Sequence, residues 1–508
     1  MNQRGRSGGP GGRSGGEAVA WGTPAGRWLL AATVLGSGMA FLDSTVVNVA
    51  LPAIGADLGT GLAGLQWISN SYLLTLSALI LLSGALGDRF GRVRVFAVGV
   101  AWFALASVLC VVASDTATLI AGRIAQGVGG ALLTPGSLAI LQVGFREEDR
   151  GRAIGAWSGL TGVASAVGPF VGGWLVDAGS WRLIFLLNIP LAVAVLLIAW
   201  RHLPESRDPA APARLDYAGA GAAVVGLAGV TYALISAGEQ PFAPGRVLVG
   251  GAAGLCALLA FVMVERRSDH PMLPLGVFGS VRFSAVNVMT VLLYGALGPL
   301  FFLLVIFLQE AMGYSALAAG AASLPITLLM LLLSGRSGRL AERIGPWIQL
   351  TLGPLAVAAG LVLLATAHGG SDYLTGVLPG VLVVGAGLAA TVAPLTSTVL
   401  ASAPLRHAGV ASGVNNAVAR SAQLIGVAAV PVLAGVTGPR GISGGFAPAM
   451  LILAGLSAAA GLLALALLRR ERRAAAAARA PRALFCGATS PPLRMPPPER
   501  AEPGGGPG

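Results

Sequence analysis

The sequence predicts an all-α polytopic membrane protein with fourteen transmembrane helices. Three observations predict it. Of 508 residues, 55% are hydrophobic and 11% charged, too little charge to cover a soluble globule of this length. The apolar residues fall in blocks near the roughly 20 residues a helix needs to cross a bilayer, without the alternation of barrel strands. The arginines gather on alternate loops, as expected of a chain that threads back and forth.

The elements follow in chain order. Residues 1–27 are Gly- and Arg-rich without an apolar run, and read as a disordered, basic cytoplasmic tail. The first apolar block, Trp28–Ala50, is too long for a signal-peptide core and carries Asp43, so it is expected to stay as a helix. Spans are expected at 28–50, 65–86, 95–113, 116–141, 154–176, 183–200, 217–237, 246–264, 283–308, 316–334, 347–367, 373–400, 408–436 and 446–468. Residues 469–508, rich in Ala, Pro, Arg and Gly, read as a second disordered tail. With the N-terminus inside, the inner loops hold sixteen arginines, among them Arg89, Arg92, Arg94, Arg146, Arg150, Arg152, Arg336, Arg339, Arg343 and Arg406. The outer loops hold only Arg182, Arg246 and Arg440. One missed helix would invert every later loop, so the bias supports an even count. Both termini are expected in the cytoplasm, and the location is the inner (cytoplasmic) membrane.

Composition excludes whole reaction classes. All 33 basic residues are arginine. Without lysine there is no P-loop lysine for ATP, and none for a pyridoxal or retinal Schiff base. Cys110 and Cys256 lie in apolar blocks and Cys486 in the tail, so neither disulfide nor zinc spacing exists. His202, His270, His368 and His407 all sit in connecting segments and read as solvated. No metal site, cofactor or acid–base cluster is expected, and the chain does not read as an enzyme.

An internal repeat organises the helices. Gly84-Ala85-Leu86-Gly87-Asp88-Arg89-Phe90-Gly91 echoes Gly338-Arg339-Leu340-Ala341-Glu342-Arg343-Ile344-Gly345, 254 residues later. Gly151-x-Ala153-x-Gly155 echoes Gly409-x-Ala411-x-Gly413 at an offset of 258, and the glycine run before Pro135 echoes that before Pro394 at 259. Each echo joins helices eight apart, where two adjacent six-helix halves would give six. The expected domains are therefore an N-terminal bundle at 28–200, a cytoplasmic loop at 201–216, and two inserted helices at 217–264. A loop at 265–282 and a C-terminal bundle at 283–468 follow. Parallel repeats of this kind enclose a central cavity at the bundle interface.

Several motifs then stand in order. The first helix carries Leu42-Asp43-Ser44-Thr45-Val46-Val47-Asn48-Val49-Ala50-Leu51-Pro52. The loop run Gly84 to Arg92 follows, with Gly84, Asp88, Arg89, Gly91 and Arg92 as its marked positions. Leu119-x-x-x-Arg123-x-x-Gln126-Gly127-x-Gly129 lies on the fourth helix. Gly162 with Gly168-Pro169-x-x-Gly172-Gly173 lies on the fifth, and Trp181-Arg182-Leu183-Ile184-Phe185-x-x-Asn188-Ile189-Pro190 comes next. Together, over roughly residues 28–468, they resemble the fourteen-helix drug:proton antiporter branch of the major facilitator superfamily, the EmrB/QacA type. The resemblance implies the major facilitator fold, a monomer, coupling between Asp43 and Arg123, and an antiporter role for Gly162, Gly168, Pro169, Gly172 and Gly173.

Physical reading stands beside it. A carboxylate near mid-membrane costs at least about 2.5–3.5 kcal/mol, so Asp43 faces either a cavity or a hydrogen-bonding partner. Asp43 lies about 22 Å along its helix and Arg123 about 10 Å from the outer end of its own, so an ion pair is geometrically possible, mobile or static. Asp88 can cap a neighbouring helix N-terminus, and Arg89 and Arg92 can pair across to the other half; the same arginines also simply hold the loop inside. In the fifth helix small residues permit close packing and Pro169 a bend. Arg420, with Asn415, Asn416 and Gln423, faces the cavity or a helix interface, and Glu310 is expected at the rim. The expected activity is proton-coupled antiport that exports small amphipathic compounds such as drugs, antibiotics and dyes, driven by the proton gradient without a cofactor. Its partners are substrate, protons and the lipid bilayer, with no nucleic acid. The alternatives are a proton-coupled importer or metabolite exporter of the same fold and, more remotely, a membrane sensor.

Overall fold

A computed structural model of the protein describes residues 18–208, 215–239, 244–268, 271–402, 408–436 and 441–479. Among them, fourteen helices are long and apolar enough to cross a membrane. They are α1 Pro24–Leu58, α2 Leu62–Phe90, α3 Arg92–Val111, α4 Thr116–Gly144, α5 Glu147–Ala178, α6 Leu183–His202 and α7 Tyr217–Gly238. The remainder are α8 Gly245–Arg267, α9 Val281–Ala311, α10 Ala316–Ile344, α11 Pro346–Leu364, α12 Tyr373–Ala401, α13 Val410–Leu433 and α14 Ile442–Leu467. Helices satisfy their own backbone groups, which hydrocarbon demands. Large apolar side chains such as Leu105, Trp174, Trp200, Leu248 and Leu332 stand exposed, as a chain surrounded by lipid tails permits.

The helices reach further than the apolar blocks. α1 starts at Pro24, where the Thr23 hydroxyl accepts the Gly26 N–H as an N-cap. Before it, Val19 pairs with the chain around Phe145: the Val19 N–H donates to the Gly144 carbonyl at 2.7 Å and its carbonyl accepts from Arg146 at 3.1 Å. Residues 18–27 are thus not part of a disordered tail; residues 1–17 lie outside the described residues. At the other end α14 runs on as helix to Arg479, past the expected boundary at 469. Residues 480–508, with Cys486, lie outside the described residues, as do His270, Arg406, His407 and Arg440. His202 is not a solvated loop histidine: its ring stacks on Trp28 with centroids 4.7 Å apart.

The packing repeats with a period of eight helices. α3 packs on α4 as α11 packs on α12, α1 on α5 as α9 on α13, α1 on α6 as α9 on α14, and α3 on α6 as α11 on α14. Matching glycines make the same close approaches. A Cβ on Gly99 of α3 would meet the Gly129 carbonyl of α4 at 3.1 Å, and one on Gly353 of α11 the Gly387 carbonyl of α12 at 2.9 Å. Gly91 and Gly345 end the equivalent helices α2 and α10 with φ of 114° and 82°, a region that side chains disfavour. The α7–α8 hairpin stands outside this pattern. α7 lies along the seam between α2 and α13, where Leu227 packs with Leu74, Ala78 and Leu424, and Ile235 with Ala63 and Ala428.

The two sets of six helices meet mainly at one end. The terminal end is the one where α1 begins and α14 finishes; the far end is opposite. At the far end the Gln66 amide donates to the Val427 carbonyl at 2.7 Å, and the Gln309 amide to the Val49 carbonyl at 2.9 Å. Asp177, near the end of α5, accepts the first two backbone N–H groups of α10, from Ala316 at 3.2 Å and Leu317 at 3.0 Å. Toward the terminal end α5 and α10 part. A Cβ on Gly151, Gly155, Gly159 or Gly162 of α5, or on Gly335 of α10, would meet nothing within 4 Å. On the α5–α10 side the cleft between the bundles is closed at the far end and open at the terminal end, while α2 stays against α13, with Leu81 3.3 Å from the place of a Cβ on Gly413.

Candidate functional site

The apolar sequence of the N-terminal bundle contains few polar residues, and five helices bring several of them to one point. Asp43 of α1 and Arg123 of α4 are 2% and 1% exposed. They form an ion pair, Arg123 Nη1 to Asp43 Oδ2, at 2.5 Å. The other carboxylate oxygen accepts from Asn188 of α6 at 3.0 Å and from Gln126 of α4 at 3.3 Å. Arg123 also donates to the Gln126 side-chain oxygen at 2.7 Å and, through Nε, to the Ile68 carbonyl of α2 at 3.3 Å. Ser107 of α3 accepts from Gln126 at 2.8 Å and from Asn188 at 3.3 Å. The guanidinium lies over the Tyr72 ring at 4.4 Å and near Phe185 at 5.8 Å. A buried ion pair in low dielectric needs its remaining lone pairs and protons satisfied, and this network supplies partners to both carboxylate oxygens, leaving the Asn188 side-chain oxygen without one.

The structure thus brings Asp43 and Arg123 together, as depth along the two helices suggested. It adds Ser107, Gln126, Asn188 and Tyr72. Gln126 and Asn188 stood in recognisable motifs, and Gln126 lies one helical turn beyond Arg123, a spacing that places both on one face. Ser107 and Tyr72 carried no signal of their own.

The loop motif sits at the terminal end of α2. Arg92 pairs with Asp88 at 2.8 Å, one turn back in its own bundle, rather than across to the other half. Glu205 caps α3, accepting the Val93 and Arg94 N–H groups at 3.0 Å each, and its carboxylate lies where a Cβ on Gly91 would go. Arg89 lies over Phe90. Gly84 makes no close approach.

The marked α5 residues divide between two neighbours. A Cβ on Gly168 would collide with Thr45, and one on Gly172 would sit 3.1 Å from the Val46 Cα, so both serve contact with α1. A Cβ on Gly173 would sit 2.5 Å from the Leu317 Cα of α10, and the Pro169 carbonyl touches the site of a Cβ on Gly320. Gly162 approaches nothing closely.

The α13 polar residues also divide. Asn415 belongs to a helix interface rather than the cavity: its amide donates to Thr290 at 2.8 Å and Asn287 at 3.2 Å, both on α9. Arg420 reaches across to α1 and lies over the Phe41 ring at 5.4 Å. Asn416 is exposed and Gln423 half-buried. Glu310 lines a depression at the far end with Pro52, Thr60, Leu62 and Leu65, which places it at the rim. Among the described residues, no group of three or more His, Cys, Asp or Glu side chains could hold a metal ion.

Comparisons with known proteins agree with this architecture. A family model described as Major Facilitator Superfamily matches residues 33–427. The chain is 36% identical over 409 residues to a tetracenomycin C resistance and export protein of Streptomyces glaucescens, covering 80% of this chain and 75% of that one. It is 35% identical over 423 residues to a methylenomycin A resistance protein of Bacillus subtilis, covering 82% and 90%. Among solved structures it resembles a peptide transporter, POT, in complex with sulfate, with a TM-score of 0.65 at 16% identity over 89% of this chain and 95% of that one. At that identity the likeness shows the fold alone. The repeated bundles, the cleft between them and the family match lead to one conclusion: the chain belongs to the Major Facilitator Superfamily of membrane transporters.

Proposed function

We propose that the chain is a proton-coupled antiporter that exports small amphipathic compounds, drugs and antibiotics among them, across the inner membrane. The observation that carries this reading is the buried Asp43–Arg123 pair, which together with its partners draws on five helices. An ionisable pair at membrane depth is a functional hypothesis by default. The direction of transport rests on the resistance and export proteins among the relatives. The chain works as a monomer with both termini in the cytoplasm, so the cleft opens to the cytoplasm and loads there.

In the mechanism, protonation of Asp43 removes the charge that holds Arg123. Arg123 also holds the Ile68 carbonyl of α2, two residues from Gln66, which fastens α2 to α13 at the far end. With cargo loaded from the cytoplasm the bundles rock and open the far end, where Asp43 takes a proton from the outer side, lets go of Arg123, and cargo leaves. The protonated protein returns to the state open at the terminal end, Asp43 regains Arg123, and the proton passes to the cytoplasm, so that a proton enters as cargo leaves. When the terminal end closes, Asp88, Arg89 and Arg92 meet the other bundle. No cofactor takes part.

The test is transport into inverted membrane vesicles acidified inside, screened against a panel of antibiotics and dyes. At least one compound should accumulate against its gradient, and a protonophore should abolish the accumulation. Accumulation that survives the protonophore would remove proton coupling.

A further inference from the structure

The charges in the membrane interior do not balance. Asp43 and Arg123 neutralise each other, and the remaining ion pairs among the described residues are Arg92–Asp88, Arg94–Glu205 and Arg182–Asp57. Arg420 is in none of them, and among the described residues no hydrogen bond engages its guanidinium. It is the eleventh residue of α13, about 15 Å from the terminal end at 1.5 Å per residue, half-way through a core of about 30 Å. An arginine there costs about 2.5–3.5 kcal/mol even on the mildest scale, so a mid-membrane cation without a counter-charge needs a reason.

Its surroundings show which part of the guanidinium is free. Its Cζ lies over the Phe41 ring, 5.4 Å from the ring centre, on the opposite bundle. Tyr72 and Tyr294 lie within electrostatic reach of it. Among the described residues nothing takes its N–H donors, whose fork matches a carboxylate in bidentate fashion. Asn416 and Gln423 flank Arg420 at helical spacing on the same side of α13. Like Arg420, neither makes a side-chain hydrogen bond among the described residues. Asn416 lies one turn nearer the open terminal end. Three polar side chains without partners therefore run up one stripe of the cleft to a lone cation beside aromatic rings.

We propose that Arg420 is an anion-recognition point in the cleft, selecting compounds that join an acidic group to an apolar or aromatic body. The acid takes the N–H edge of Arg420, Asn416 and Gln423 supply further hydrogen bonds, and the body lies among Phe41, Tyr294 and the apolar walls. The proposal rests on the reading that the cleft carries an exported small molecule.

Binding and transport separate the two readings. Affinity of the purified protein in nanodiscs is measured by calorimetry for 2-naphthoate, the neutral 2-naphthamide and the cationic 2-naphthylmethylammonium. The wild type should bind the carboxylate at least about tenfold more tightly than the amide, and the ammonium most weakly. Arg420→Gln should erase the difference by weakening the carboxylate alone; Phe41→Ala, which keeps the charge, should retain the preference. Equal wild-type affinity for acid and amide would overturn the proposal. So would an Arg420→Gln variant that loses both ligands equally, or the absence of binding by any of the three. In inverted vesicles, Arg420→Gln should still accumulate neutral compounds that the wild type exports. If it loses those too, Arg420 belongs to proton coupling and not to cargo recognition. Failure of the wild type to transport anything would count against the export reading, while the calorimetry would still decide the role of Arg420.

Discussion

At the residue scale the site is a problem in compensation. Asp43 and Arg123 are each stable at this depth only because the other is present and because Asn188, Gln126, Ser107 and the Ile68 carbonyl take up the remaining hydrogen bonds. Removing one partner of a buried pair strands the other, at a cost of about 3–5 kcal/mol, whereas removing both charges leaves a neutral polar site. Arg123→Gln should therefore lower the thermal midpoint of the purified protein, and Asp43→Asn/Arg123→Gln should recover much of the loss. A double variant no more stable than the single one would mean that the pair is not held by mutual compensation. Asp43 and Arg123 were legible in the sequence because charge inside an apolar block is conspicuous. Ser107 and Tyr72 were not, because a hydroxyl inside such a block is ordinary and can satisfy itself on its own helix. Arg420 was visible as a deep charge, but only contacts separate it from Asn415, which turns to α9.

At the element scale the seam between α5 and α10 sets the conformation. Gly173 and Gly320 bring the two backbones together at the far end, and Asp177 caps the start of α10 there. Asp177 was not singled out in the sequence, since an acid at a span's end reads as an ordinary boundary residue. Gly173→Leu places a side chain where the Ala316–Leu317 backbone lies, so the far end should no longer close. Spin labels on α5 and α10 near that end should move apart, and a thiol introduced at Leu317 should react with a membrane-impermeant reagent several-fold faster than in the parent protein. An unchanged distance and labelling rate would contradict the packing described. The spans themselves were legible from hydropathy, but their ends were not. Hydropathy marks the hydrocarbon core, while α1 starts before it at the Thr23 cap, beside the pairing of Val19 with Gly144 and Arg146, and α14 runs on as helix to Arg479.

At the scale of the whole molecule, the repeat carries the architecture. Motif echoes at nearly one offset pointed to two similar halves, and the same period returns in the helix contacts, the glycine approaches and the turns at Gly91 and Gly345. The sequence could not say which end of the cleft is open, because that depends on contacts between bundles that change during the cycle. Reporter fusions after Arg27, in the 201–216 loop and at Arg469 should all report the cytoplasm; a periplasmic signal from any of them would reverse the orientation and the loading side. If export runs on a proton carried by Asp43, Asp43→Asn should abolish it, because a neutral amide cannot cycle a proton. The most direct measurement compares wild type and Asp43→Asn in inverted vesicles with only a pH difference as the driving force. The wild type should accumulate compound, and the variant should only equilibrate it. Uphill accumulation by Asp43→Asn under the same pH difference would show that Asp43 is not the coupling site.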